Sequence, residues 1–474
     1  MAPPTSTSSA SSSFDWPLAH DAERLLGSWV EAFLLRNSFA RRLAERMRDE
    51  TGTDFFEWID HLVVADDHRA ALAGAGFVEE KVDVREGLTV FWHPRAMMPR
   101  VLVTASPWVR NSGRTDEEVP SELAIRPEVL ADFLAAHDSA AAIEGAWGAR
   151  FRRALVSEEN GTKFFAVERL GWRGFVVREP DVKFVSGALR AQELWRTRKR
   201  DFAEGDTEGV KCARARLDAV LALVDRDAAC ELFFAAERVF WEAKNRAGRI
   251  QRRRQDQLGL GWGNHDHHTF RCSRAHFADL MEFLAKLGFG KRERYYAGAE
   301  AGWGAQILEQ AVAGIVVFAD VDLMPEETTI DFSTKRLPPA PALRTVGLWC
   351  GLHGDSFLQA GMHHLEARFD FVRLRDQLAG EGVVTMKPFS DFEFLRQAFT
   401  EGERWKVNPA RVQALLKQKL ITPEQAEGFI RDGALGSHLE NLQRKGGFKG
   451  FNQKSVSAII AATDPRMVQT AHAM

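Results

Sequence analysis

Two segments, HDHHTFRCS from His265 and MHHLEARF from Met362, carry paired histidines in a strand-like pattern, and each precedes an amphipathic helix and further strands. Such a unit cannot bury its apolar face alone, so its repetition predicts modules that pair through their sheets. After the first segment, RAHFADLMEFLAKLGF reads as a helix closing on Gly288, with strands in KRERYYAG, WGAQILEQ and GIVVFADVDL. After the second, DFVRLRDQLAGEGV is the helix, and VTMKPF, FEFLRQAF and GERWKV follow. An earlier copy has FEWIDHLVVA at 56–65, a short helix ending near Gly76, and strands in LTVFWHP and PRVLVTAS. The predicted fold class is α+β: repeated βαβββ modules forming curled mixed sheets around a cavity, with helical caps over 22–48 and 208–250. Residues 120–250 are otherwise less regular, with a hairpin in TKFFAVERLGWRGFVV.

A length of 474 residues suggests two to four packed units. The divisions expected are a disordered Ser/Pro/Ala-rich tail at 1–13, a capped N-terminal domain with a degenerate module at 14–250, and a metal-binding catalytic domain at 251–474. Lys+Arg 63 against Asp+Glu 66 gives a formal net charge of -3, which asks for no nucleic acid. The basic run RIQRRRQDQ at 249–257 reads as the solvated face of a helix. Four scattered cysteines without a CxxC pair support neither a disulfide framework nor a zinc ribbon, and point to a reducing cytosol. No apolar run approaches the ~18 residues a membrane span requires, so a cytoplasmic protein with no membrane partner is expected.

Side chains two apart on a strand share a face, so His267, Thr269 and Arg271 point one way and His268, Phe270 and Cys272 the other. In the later strand His364, Glu366 and Arg368 share a face, repeating a histidine followed four residues on by an arginine. Neutral imidazole is a common metal ligand, and arginine can hold a carboxylate through two parallel hydrogen bonds. A third ligand is sought on a late strand: FLRQAFTEGERWKV puts Phe399, Glu401, Glu403 and Trp405 on one face if it is regular. Glu401 and Glu403 compete, with Glu440 a further candidate and Glu309 a weaker one. Two histidines and one carboxylate with open positions is the arrangement of Fe(II) oxygen chemistry. The plainer alternative is histidines that only hydrogen-bond within the core. His61 holds the matching place in the first copy but has Ala65 where the arginine would stand, so that copy reads as structural.

From 263 to 465 the chain resembles the 2-oxoadipate dioxygenase/decarboxylase (hydroxyglutarate synthase) family, itself similar to vicinal-oxygen-chelate enzymes. DHHTFR at 266–271, HHLEAR at 363–368, FTEGER at 399–404 and FKGFNQKSVSAII near the end occur in that family's order. The resemblance implies metal ligands His267, His364 and Glu401, a substrate-binding Arg271, and Ser455 and Val456 beside the substrate. It implies Fe(2+) as cofactor, O2 and a 2-oxo acid as reactants, and a 2-hydroxy acid plus CO2 as products. His363 where the family has Asn, Thr400 where it has Gly, and the long N-terminal extension depart from the pattern and bear mainly on the substrate. The alternatives are an isomerase, lyase or other dioxygenase of the same architecture, or a non-catalytic small-molecule binding protein.

Overall fold

The computed structural model describes residues 16–105, 119–202, 205–296, 302–327, 330–452 and 463–466. The 1–13 tail, Ser455 and Val456 lie outside the described residues. After two capping helices, His20–Arg36 and Ser38–Arg46, strand β1 (Ile59–Ala65) leads through helix Arg69–Gly74 to β2 (Val78–Glu80), β3 (Leu88–Trp92) and β4 (Arg100–Thr104). β4 returns parallel to β1. The same path recurs in β5 (Glu122–Ile125), helix Leu130–Ala136, β6 (Ile143–Glu144), β7 (Phe151–Glu159) and β8 (Thr162–Arg169), with β8 parallel to β5. An antiparallel β1–β5 contact joins these two modules into one sheet ordered β2-β3-β4-β1-β5-β8-β7-β6.

The second half repeats the scheme. β9 (His265–Arg271), helix Phe277–Lys286, β10 (Gly290–Tyr296), β11 (Trp303–Gln310) and β12 (Ile315–Asp322) form one module. β13 (His364–Arg368), helix Phe371–Gly380, β14 (Ser390–Phe392), β15 (Leu395–Phe399), β16 (Glu403–Trp405) and β17 (Ala434–Arg444) form the other. The order is β10-β11-β12-β9-β13-β17-β15-β14, with β16 paired to β17 off that path. Four βαβββ modules in two pairs are therefore present, where the sequence pattern shows three. The module at Glu122–Arg169 is inconspicuous because its first strand has four residues, its helix seven and its second strand two, too few for a period to register.

The helices Val182–Arg196, Asp206–Leu221 and Arg226–Ala243 share one apolar core with the second sheet, through Trp195, Leu217 and Phe233 on their side and Phe270, Leu280 and Leu365 on the other. On helix Phe277–Lys286 the buried Phe277, Leu280, Phe283 and Leu284 recur at three- and four-residue steps, and each such side chain contributes roughly 1.5–3 kcal/mol. The basic run lies on helix Arg246–Asp256, but it is not a freely solvated face. Arg254 is buried and donates to the Glu50 carbonyl, and Arg252 and Arg253 pair with Glu128 and Glu381. That correction follows from packing: this helix stitches the N-terminal cap to the second half. The described cysteines are all free, and no described helix is long and apolar enough to cross a membrane.

One interaction recurs in both halves. Asp60 is gripped by Arg169 through bonds of 2.7 and 2.8 Å while its Oδ1 lies 2.7 Å from His61 Nδ1. Asp266 is gripped by Arg444 at 3.1 and 3.3 Å while its Oδ1 lies 2.9 Å from His267 Nδ1. Each clamp ties the first strand of a half to its last, and the arginine's remaining donor caps carbonyls of the chain beyond, Gly174 and Gly450. Removing one partner of such a pair strands a buried charge, at a cost of about 3–5 kcal/mol. Arg169→Ala is expected to lower unfolding free energy by that amount in denaturant titration.

Candidate metal centre

Strands β9, β13 and β17 lie side by side, β13 antiparallel to β9 and parallel to β17. Their shared face lines a small cavity that includes His267, Thr269, Arg271, His364, Glu366 and Glu440. Trp303, Phe318, Phe389, Phe399 and Phe451 give it aromatic walls. The predicted alternation holds on β9: His268 turns to the helical core against Phe234, at a ring separation of 4.9 Å, while His267 faces the cavity.

His364, Glu366 and Glu440 bring one donor atom each within 4.8 Å of one another. His364 Nε2 is 2.9 Å from Glu366 Oε1 and 3.6 Å from Glu440 Oε2. Glu366 also lies on the His267 side, its Oε2 4.0 Å from His267 Nδ1. The Glu366 carboxyl thus reaches toward both imidazoles. His267 Nε2 is 3.3 Å from Arg444 Nη2. Gln397 donates to Glu440 Oε1 at 2.9 Å, and Thr269 to Glu366 Oε1 at 3.3 Å.

All four groups are buried, from 2% exposed for His267 and Glu440 to 7% for His364. Burial pushes the Glu366 carboxyl up to about 8, and burial together with the charge of Glu366 drives Glu440 well above the carboxylate range. Burial also lowers His267 and His364 to about 4, so both imidazoles are neutral and carry lone pairs. Neither glutamate has a lysine or arginine within ion-pair distance among the described residues, and His364 Nδ1, Glu366 Oε2 and Gln397 Oε1 lack hydrogen-bond partners. Two adjacent buried carboxyls flanked by neutral imidazoles are the donor set a divalent cation stabilises and an apolar core does not.

Of the residues picked from sequence, the structure brings His267, His364, Arg271 and Glu440 to one cavity and leaves Glu401 outside it. β15 ends at Phe399, and Thr400 bridges back to Thr385. Glu401 is exposed, with its amide donating to the Val384 carbonyl. Glu403 accepts from the Arg246 amide, and Glu309 pairs with Lys449, so neither reaches the cavity. The regular strand assumed across 399–405 is broken. Helices Pro409–Lys417 and Pro423–Asp432 follow, opened by an Asn408 cap and a Thr422–Gln425 capping box, and the module's last strand comes only at β17. Arg368 also departs from expectation. A bulge between Leu365 and Ala367 precedes it, and its guanidinium turns out to Glu57 at 2.8 Å. Glu366 went unweighed as a donor although its spacing from His364 placed it on the same face.

Arg271 is 1% exposed. Its Nη2 donates to Thr463 Oγ1 at 2.8 Å, while Nε and Nη1 have no hydrogen-bond partner among the described residues. Asp320, opposite it in register on β12, also lines the cavity and is pushed up to about 7 by burial, against the pull of Arg271.

Strand pairing shows why one half alone gathers donors. Counting along the registers, His61 corresponds to His267, Glu122 to His364, Ala124 to Glu366, Phe165 to Glu440 and Arg169 to Arg444. Within the second half, the place of Glu440 is taken on β12 by Phe318, across from Thr269. The N-terminal half keeps a histidine and its clamp, with Ala124 and Phe165 in the places of the two glutamates.

No protein-family model matches the chain. No curated protein matches it. Among solved structures, it is similar to a mutant of 4-hydroxymandelate synthase from Streptomyces coelicolor at 16% identity and TM-score 0.28, covering 86% of this chain and 98% of that one. A glyoxalase-superfamily protein from Ralstonia eutropha JMP134 is similar at 13% identity and TM-score 0.31, covering 56% and 97%. Methylmalonyl-CoA epimerase from Mycobacterium tuberculosis is similar at 12% and 0.22, covering 38% and 88%.

Two outcomes follow. After loading with Fe(II) or Mn(II), elemental analysis should find metal retained by Glu401→Gln and lost from His364→Ala and Glu440→Gln. In metal-free protein, the Glu366 carboxyl sits at about 8, above its ordinary 4.5, so its contribution is complete below the unfolded value and is lost as pH rises through the folded one. Above about pH 7.5, where histidines with an ordinary value of 6.5 are almost wholly neutral in the unfolded chain as well as in the folded one, the metal-free protein should lose stability as pH rises. Glu366→Gln should flatten that slope in thermal melts.

Proposed function

We propose that the chain is a non-haem Fe(II)-dependent dioxygenase that decarboxylates a 2-oxo acid to a 2-hydroxy acid and CO2, both atoms of O2 entering the products. The observation that carries this reading is one cavity holding neutral His267 and His364, the carboxylate donor Glu440 and a buried arginine two of whose nitrogens lack partners among the described residues. His267, His364 and Glu440, from three neighbouring strands, are the residues we assign to the ion. Asp266 supports His267 through Nδ1, the kind of outer partner that fixes an imidazole's orientation. Iron(II), when bound, supplies a chelation site for the oxo acid and a site for O2.

The rest is done by the chain. Arg271 offers its buried guanidinium to the acid's far carboxylate, and that buried setting makes the bonds strong and the discrimination against uncharged analogues steep. The aromatic walls exclude water and keep the acid in one orientation. Phe318, standing where a fourth donor would be on β12, leaves coordination positions for substrate. The assignment of a 2-oxo acid is supported by the motif resemblance and by Arg271.

A second reading is favoured by Glu366. If it stays among the donors, the site has two imidazoles and two carboxylates and suits a Lewis-acid isomerase or lyase. An oxygen electrode separates the two. Iron-loaded protein given 2-oxoadipate should consume O2 in step with CO2 release, and Arg271→Leu should raise KM at least about tenfold, the loss of one charge-assisted contact. Substrate turnover without O2 uptake would favour the isomerase.

A further inference from the structure

A separate cleft of about 770 Å³ lies where the two halves and the linking helices meet, large enough for an organic ligand. Eleven arginine and lysine side chains line it against six carboxylates, in a chain whose formal net charge is -3. The counter-charges are shared. Glu80 takes both Arg100, at 2.8 Å, and Arg173. Glu128 takes both Arg252, at 2.6 Å, and Arg238, at 3.4 Å. Arg196, exposed at the rim, has no ion-pair partner among the described residues. Burial, with the neighbouring charge of Arg173, lowers Arg100 to about 10. Flat apolar surface is interleaved with these cations: Arg173 lies 5.7 Å from the centre of the Trp92 ring, and Trp147 stands 49% exposed on the lining.

We propose that this cleft is a second ligand site, which takes a small organic polyanion with a flat apolar body. Arginines that share one carboxylate have donor capacity left for phosphate or carboxylate oxygens, and the indoles supply a stacking surface. The site stands apart from the metal cavity and does not depend on the function proposed for it.

Calorimetric titration of the full chain at low salt tests it with ATP, benzene-1,3,5-tricarboxylate and inorganic tripolyphosphate. Binding of at least one of the two flat anions is expected, more tightly than tripolyphosphate, and which one binds distinguishes a phosphate from a carboxylate ligand. Arg173→Gln and Arg196→Gln should each weaken it about tenfold or more, and added salt should weaken it further. Arg196→Gln touches no ion pair and so reads the site without risk to folding. His364→Ala should leave the affinity unchanged. Failure of both flat anions to bind, tripolyphosphate binding as tightly as they do, indifference to both arginine variants, or loss of binding in His364→Ala would overturn the proposal.

Discussion

Glu366 and Glu440 sit side by side in the wall of a buried cavity, with neutral imidazoles and a glutamine as neighbours and no lysine or arginine within ion-pair distance among the described residues. Carboxyls in that setting either keep their protons or meet a cation, because an uncompensated charge in a low-dielectric interior costs several kcal/mol. Everything nearby is arranged around that constraint. Burial keeps His267 and His364 unprotonated, Asp266 steadies the former, and Arg444 holds Asp266. Arg271 stands four residues beyond His267 on β9, opposite Asp320 on β12.

The duplicated architecture explains how such a costly cluster can be held. Each half is two βαβββ modules joined by their first strands, and each is locked by a buried Asp–Arg clamp between its first and last strands. The clamp is common to both halves, so it belongs to the fold. The donors differ, and among the described residues they gather in the second half alone. Glu122, Ala124 and Phe165 stand in the N-terminal half where His364, Glu366 and Glu440 stand in the other, and aromatic packing of Phe175 against His61 fills that space instead.

Much of this was legible in the sequence, and unevenly so. Period-2 alternation placed His267 and Arg271 on one face and His268 on the other, because β9 is a regular strand with both faces buried. The same logic failed at Glu401 and Arg368, where the strand stops or bulges and alternation no longer carries a side chain to the expected face. Glu440 was visible as a candidate but could not be preferred. Its place depends on two inserted helices that delay the module's final strand, and strand pairing across such an insertion is a property of three-dimensional closure. The Asp–Arg clamps were out of reach for the same reason, since Asp266 and Arg444 meet only once the sheet forms.

A divalent ion held by His267, His364 and Glu440 would join strands β9, β13 and β17. A crystal structure of the protein loaded with Fe(II) under anaerobic conditions should show that ion within about 2.0–2.2 Å of a nitrogen of His267, a nitrogen of His364 and a carboxylate oxygen of Glu440. An ion bound through Glu401, or a cavity that stays without metal while Glu366 and Glu440 remain against His364, would contradict this assignment.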